Sequence, residues 1–145
     1  MKILFAFLFC LFSFSVSYSQ DENFMLENLG ADFKEVSVVV HVDNKSYEVA
    51  DDIGGYKLYK ISAEAKETFK GKLKRGQAFD FYVVADSDYP AKNFLGEHVV
   101  FLNYDNSEKL KLKNALFQLE NSTRPASQEV ITALRKLKPK PKPRK

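Results

Sequence analysis

The segment from Tyr56 to Phe69 constrains the fold of this chain most strongly, because its apolar and polar residues alternate. A period of two puts successive side chains on opposite faces of a β-strand. The segment therefore predicts a long strand with one buried face and one wet face. Its apolar positions are Tyr59, Ile61, Ala63, Ala65 and Phe69.

Four further segments also have the composition of strands. The run "EVSVVVHV" from Glu35 to Val42 is rich in β-branched residues, which predicts a strand that is buried on both faces or curves through a barrel. This strand continues through Tyr47 and Val49, either past a bulge or around a tight turn. The segments "QAFDFYVVA", "EHVVFLN" and "NALFQLE" predict three more strands, so we expect a mainly β fold with five strands.

The first nineteen residues predict a cleavable export signal. Lys2 is followed by an apolar run from Ile3 to Phe14, and Ser17 and Ser19 are the small residues before the expected cleavage point. The run is too short to span a bilayer comfortably, so we expect no transmembrane segment after the signal is removed. Export to the periplasm or the extracellular space follows from this interpretation.

The number and position of the cysteines restrict the cellular compartment in which this chain is expected to function. Cys10 is the only cysteine of the chain, and it lies inside the apolar run without the small residues that lipid attachment requires. The chain after the signal then has no disulfide, although small secreted domains of oxidising compartments usually depend on them. A bacterial envelope protein that is stabilised by its core fits this pattern.

The C-terminal region predicts a helix followed by a tail. Ser127 can cap a helix whose inner face is formed by Val130, Ile131, Leu134 and Leu137, and Pro139 ends it. We therefore expect a signal peptide at 1–19, a lead-in at 20–34, one β-domain with its terminal helix at 35–137, and a disordered tail at 138–145.

Charge is distributed unevenly between the body and the tail. Seven of the 21 cations beyond the signal lie between Arg135 and Lys145, which leaves 14 cations against 19 acids in the body. An exported protein with an acidic body is a poor match for nucleic acid, because the phosphates would be repelled. The tail is instead expected to contact an anionic envelope component or an acidic protein partner, or to act only as a solubilising terminus. Its candidate binding residues are Lys138, Lys140, Lys142, Arg144 and Lys145.

A second basic cluster lies between the second and third predicted strands. Gly71 and Gly76 have the spacing of a phosphate-binding P-loop, but Gln77 and Ala78 replace its lysine and hydroxyl, and a strand follows instead of a helix. The cluster is therefore interpreted as a glycine-flanked β-turn with solvated cations, with an anionic contact as the alternative. Its candidate binding residues are Lys70, Lys72, Lys74 and Arg75.

Catalytic and metal-binding patterns are weak in this sequence. His41 and His98 each lie in a predicted strand, and neither has the three or four ligands that a zinc site needs. The sequence has no GxSxG motif, and no cysteine remains beyond the signal. We therefore predict a protein that is not an enzyme, with no cofactor and no metal site.

Three longer motifs carry a family resemblance, which covers roughly Val36 to Leu137. They are "ETFKGKLKRGQ", "LGEHVVFLN" and "LENSTRPASQEVITALRKL", and together they resemble the netrin-like and tissue-inhibitor-of-metalloprotease-like domains, above all their bacterial secreted members. The resemblance implies a five-stranded OB-like β-barrel with a C-terminal amphipathic helix. Strand faces of such barrels often carry aromatic binding residues, which makes Tyr82 a further candidate.

The functional expectation has two parts. We predict a non-catalytic, exported binding module of the bacterial cell envelope. The alternative is an inhibitor of an extracytoplasmic protease or other hydrolase, by analogy with the animal inhibitors of this family. Those inhibitors use an N-terminal cysteine that Gln20 and Asp21 do not supply, so no residue of this chain inherits the inhibitory role.

Overall fold

The computed structural model describes residues 26–144, of which 51% lie in strands. The predicted signal peptide, Cys10, Gln20 and Lys145 lie outside these residues. The described strands are β1 (Val38–Ile53), β2 (Tyr56–Lys70), β3 (Ala78–Asp86), β4 (Gly96–Ser107), β5 (Leu112–Gln118) and β6 (Arg124–Pro125). The helices are α1 (Leu29–Glu35), a 3-10 turn (Ala91–Phe94) and α2 (Gln128–Leu137).

Five of the strands form a ring. Their order is β1-β2-β3-β5-β4, and β4 pairs again with β1 to close it. All of these pairs are antiparallel except β3–β5, which is parallel with Tyr82 opposite Phe117. The two-residue strand β6 pairs with β4 outside the ring. The expected mainly β fold with five principal strands is confirmed at this level.

An inner core fills the ring. The alternating residues of β2 that the sequence marks as apolar enter this core from Tyr59 to Ala65, and Ala65 is fully buried. The alternation predicted for β2 is therefore confirmed from Tyr59 to Ala65, whereas Phe69, predicted on the same face, packs on the outside of the ring. A register shift between Ala65 and Glu67 reverses the faces of the strand before Phe69. The inner core also contains Val40, Phe81, Val100, Leu102 and Leu116.

An outer core lies between the ring and the two α-helices. Val39 of β1 and Phe101 of β4 point outward and pack in one cluster with Phe33 of α1 and Leu134 of α2. Strand β1 therefore has buried residues on both faces in its first half, as its β-branched run predicts. The helices complete a core that the sheet alone would leave open to water.

Helix α2 begins where the sequence predicts. The Ser127 hydroxyl accepts a hydrogen bond from the backbone N–H of Val130 at 3.4 Å, which satisfies one of the free donors of the first turn. Val130 and Leu134 are fully buried, whereas Leu137 is 40% exposed. The predicted inner face is therefore buried at Val130 and Leu134, whereas Leu137 at the end of the helix is not covered.

Strand β1 changes character after Asn44. Up to that residue β1 pairs with both β2 and β4, and beyond it β1 pairs with β2 alone. An irregularity in register between Asn44 and Ser46 marks the change, so the strand continues past a bulge and does not turn there. The second half of β1 and the start of β2 form a hairpin that ends at Gly54 and Gly55.

Within the described range, neither α-helix nor the 3-10 turn has the length and apolar character needed to cross a membrane.

Candidate functional site

The loop between β2 and β3 folds back along the edge of β2. The Thr68 hydroxyl donates to the carbonyl of Leu73 at 2.8 Å, and the Gly76 N–H donates to the carbonyl of Ala65 at 2.8 Å. The Ala65 N–H in turn donates to the carbonyl of Gln77 at 2.9 Å. These three hydrogen bonds hold the loop against the C-terminal part of β2.

The same loop divides its side chains between the core and the solvent. Leu73 packs against the inner core, whereas Lys72, Lys74 and Arg75 are exposed. None of these three cations forms an ion pair with another described residue. The loop therefore presents three uncompensated positive charges on a framework held by an apolar anchor.

Lys70, the fourth candidate of this cluster, has a different role. Its ammonium donates to the carbonyl of Phe33 at 2.8 Å, lies 3.4 Å from the carbonyl of Lys34, and sits 5.4 Å from the centre of the Phe33 ring. A cation at this position satisfies the free carbonyls at the end of α1. Lys70 therefore ties α1 to β2 and is separate from the exposed cations.

The end of helix α2 lies on the neighbouring part of β2. The Arg135 guanidinium donates to both carboxylate oxygens of Glu67, at 2.9 and 2.8 Å. The hydrogen bonds from Arg135 hold the pKa of Glu67 below its ordinary value, and the charges of Arg135 and Lys138 lower it further. Lys138, the first residue of the tail, follows this helix, and Glu67 lies two residues along β2 from Ala65.

The loop and the end of α2 both attach to residues 65–68 of β2, although more than sixty residues separate the loop from the tail in the sequence. Two acids of this part of β2 are compensated, since Glu67 is bound by Arg135 and Glu64 lies 3.7 Å from the ammonium of Lys66. The described tail beyond Lys138 has no helix or strand and is exposed. We call this surface the cationic surface; its described members are Lys72, Lys74, Arg75, Lys138, Lys140, Lys142 and Arg144.

Tyr82 does not belong to the cationic surface. Its ring is only 9% exposed and stacks on Phe117, with 5.2 Å between the ring centres. Tyr82 lies opposite Lys60 on β2, where the Lys60 ammonium is 3.7 Å from the Asp80 carboxylate. The structure therefore separates this candidate from the cations with which the sequence grouped it.

The histidines lie in ordinary structural environments. The Nε2 atom of His41 is 3.3 Å from the Glu97 carboxylate, close enough for an ion pair but not aligned as a hydrogen bond. The Nε2 atom of His98 lies 3.2 Å from the carbonyl of Leu95. Among residues 26–144, no three His, Cys, Asp or Glu side chains come together in a group that could hold a metal ion.

No family model and no curated protein matches the chain, so these comparisons identify no ligand for the cationic surface. Its chemistry follows from its side chains. Lysine ammonium groups on flexible stems are suited to anions as point charges, and they do not impose the planar geometry of a guanidinium fork. The cationic surface can therefore hold several phosphate or carboxylate groups with little geometric selection.

Proposed function

We propose that this protein is an exported, non-catalytic binding module of the bacterial cell envelope that holds an anionic envelope component through its cationic surface. The observation that carries the proposal is that the loop with the exposed Lys72, Lys74 and Arg75 and the helix that leads into the basic tail both bond to residues 65–68 of β2. Export is inferred from the signal features of residues 1–19. The tail then adds a second group of exposed cations to those of the loop.

The ligand that fits best is a surface with many phosphates, such as lipid headgroups. Exposed cations near an anionic membrane each contribute at most about 1 kcal/mol, so strength comes from their number. The loop offers three cations and residues 138–145 offer five more. Such binding weakens steeply with salt, because exposed charges are screened within about 10 Å at about 0.1 M ionic strength.

We also infer that the ring is an OB-type barrel. The strand order β1-β2-β3-β5-β4, its closure through β4 and β1, and the parallel β3–β5 pair support this assignment. It agrees with the resemblance to netrin-like domains noted in the sequence. Inhibition of an extracytoplasmic hydrolase remains a prediction from that resemblance, and no geometric observation favours it.

Vesicle co-sedimentation of the full chain tests the proposal. We expect binding to vesicles with about 30% anionic phospholipid, no binding to neutral vesicles, and loss of binding between about 50 mM and about 300 mM salt. Replacing the three loop cations by serine, or deleting 138–145, should each weaken binding at least about tenfold.

A charge-matched variant provides the control. Lys92, Lys111 and Lys113 are exposed and lie outside the cationic surface, so their replacement by serine removes the same charge elsewhere. This triple variant should bind within about twofold of the unmodified protein. If it loses as much affinity as the loop variant, net charge alone explains binding. If neither the loop variant nor the deletion loses affinity, the cationic surface is not the site.

A further inference from the structure

The second half of β1 has a free edge. From Ser46 to Ile53 the only strand that pairs with β1 in the described residues is β2, so the N–H and C=O groups on its other side have no ladder partner. Tyr47, Val49 and Ile53 on this segment are 40%, 51% and 52% exposed. A free, partly apolar edge is a template on which another extended segment can add as a strand.

The charge of this edge restricts what can pair with it. Residues 46–53 contain three acids and no cation, so the edges of two copies would repel each other. Lys60 and Lys109 contact Glu48 and Asp51, at 3.5 and 2.7 Å. The third acid of this segment, Asp52, has no ion-pair partner within residues 26–144. The edge therefore favours a basic strand.

The tail has the sequence pattern of a strand that can pair on one side only. Proline occupies positions 139, 141 and 143, and a basic residue occupies positions 138, 140, 142 and 144. In an antiparallel pair alternate residues direct both N–H and C=O toward the same neighbour. Proline has no N–H and is tolerated where that side faces solvent. The residues before proline are also restricted to extended conformations.

We propose that the basic tail, residues 138–145 of one molecule, adds as a strand to the free edge of β1, residues 46–53, in a second copy of this chain. The basic residues supply every N–H that the edge needs, and their charges complement its acids. The prolines face away, so no third strand can add to the tail. This inference concerns self-association and goes beyond the proposed function.

The tail is too short to pair fully with its own edge. It follows α2, whose Arg135 is bound to Glu67, and Glu67 lies opposite His41 on β1. From His41 to Ser46 the strand advances five residues, or about 17 Å. The eight residues of the tail span about 25 Å when extended, so only about three would remain for pairing. A neighbouring molecule has no such limit, and the resulting contact is head-to-tail.

Sedimentation velocity of the full chain over a concentration series tests the proposal. We expect the average sedimentation coefficient to rise with concentration, and deletion of 138–145 to abolish the rise. The matched variant exchanges neighbours in the tail, with Lys140→Pro, Pro141→Lys, Lys142→Pro and Pro143→Lys. Its composition and charge are unchanged, but two of the four N–H groups that face the edge are lost, and we expect association at least about tenfold weaker.

The permuted tail also separates this inference from the proposed function. Its binding to anionic vesicles should match that of the unmodified protein, because the charge is the same. If the permuted tail self-associates as strongly as the natural one, strand addition is wrong and only charge attraction remains. A chain that stays monomeric up to about 1 mM would also overturn the proposal.

A charge exchange identifies the acceptor. The variant Glu48→Lys with Asp52→Lys should no longer associate with itself, and neither should the variant with Lys138, Lys140 and Lys142 replaced by glutamate. An equimolar mixture of the two variants should associate again, because each restores the charge match for the other. If the mixture remains monomeric, the tail does not bind at this edge.

Discussion

The two halves of β1 differ in almost every physical respect although one strand contains both. From Val38 to Val42 its apolar residues are fully buried, and it has a neighbouring strand on each side. From Ser46 to Ile53 it has one neighbour, and Val49 is 51% exposed. Both halves contain β-branched residues, so propensity alone does not distinguish core from surface. The difference comes from what covers the strand: β4 and the helices reach only its first half.

Removing the same two methyl groups from each half of β1 should give the largest difference between the two halves in the free energy of unfolding. Val40→Ala removes two methyl groups from the inner core, where Val40 is fully buried, and should lower the free energy of unfolding by about 2.5 kcal/mol. Val49→Ala removes the same atoms from an exposed position and should change it by less than about 0.5 kcal/mol. Urea denaturation measures both. Equal losses would mean that the second half of β1 is covered in solution.

Two glycines extend the comparison to the ends of β2. Gly71 has φ +104°, and a methyl group there would lie 3.0 Å from Val38 Cγ2 and 3.3 Å from the carbonyl of Ser37. Gly55, at the tip of the hairpin, has φ +86° and nothing within 4 Å of the same methyl position. Only Gly71 therefore combines a left-handed backbone with a close neighbour.

We expect Gly71→Ala to lower the free energy of unfolding by about 2 kcal/mol and Gly55→Ala by about 1 kcal/mol. The loss for Gly71→Ala combines backbone strain with crowding of the new methyl group against the buried half of β1. The loss for Gly55→Ala comes from backbone strain alone. Thermal unfolding followed by circular dichroism compares them. If the two variants are equally stable, Val38 moves aside without cost and the base of the hairpin is less rigid than its packing indicates.

The sequence predicts the elements whose signals are local. The alternation of β2, the β-branched first half of β1 and the Ser127 cap are all found, because periodicity and capping act within a few residues. The strand β6 is missed, since two residues that include a proline have no periodicity. Strand β4 runs through Ser107, although the predicted strand segment "EHVVFLN" ends at Asn103. Its pairing with β5 holds those residues in the sheet.

The candidate site is predicted less well, because it depends on contacts distant in sequence. Lys70 belongs to the basic cluster in the sequence, but its bond to the Phe33 carbonyl crosses 37 residues. The attachment of α2, and of the tail that follows it, to β2 depends on the ion pair between Arg135 and Glu67, which crosses 68 residues. No local pattern contains such information. Composition correctly identified the basic residues, and only the fold shows which of them share a surface.

Two ion pairs allow a further comparison of the two halves of β1, with the smallest expected effects on stability. Arg135 and Glu67 fasten α2 over the buried half of β1, and Lys109 and Asp51 connect the β4–β5 turn to its exposed half. Hydrogen bonds from the cations hold the pKa of Glu67 below its ordinary value of 4.5 and that of Asp51 below 3.8. Each pair therefore stabilises the fold above these values, and its contribution disappears as the pH falls through the lowered pKa.

Glu67→Gln and Asp51→Asn test this dependence. At pH about 7 each variant should unfold at a slightly lower urea concentration than the unmodified protein, and each difference should shrink as the pH falls through the lowered pKa and the carboxylate becomes protonated. Glu67→Gln should have the larger effect, since it releases a helix that covers the core, whereas Asp51 binds only the β4–β5 turn to the exposed half of β1. A difference that persists unchanged at acid pH would mean that the Glu67 side chain acts through its packing and that its charge is dispensable for holding α2.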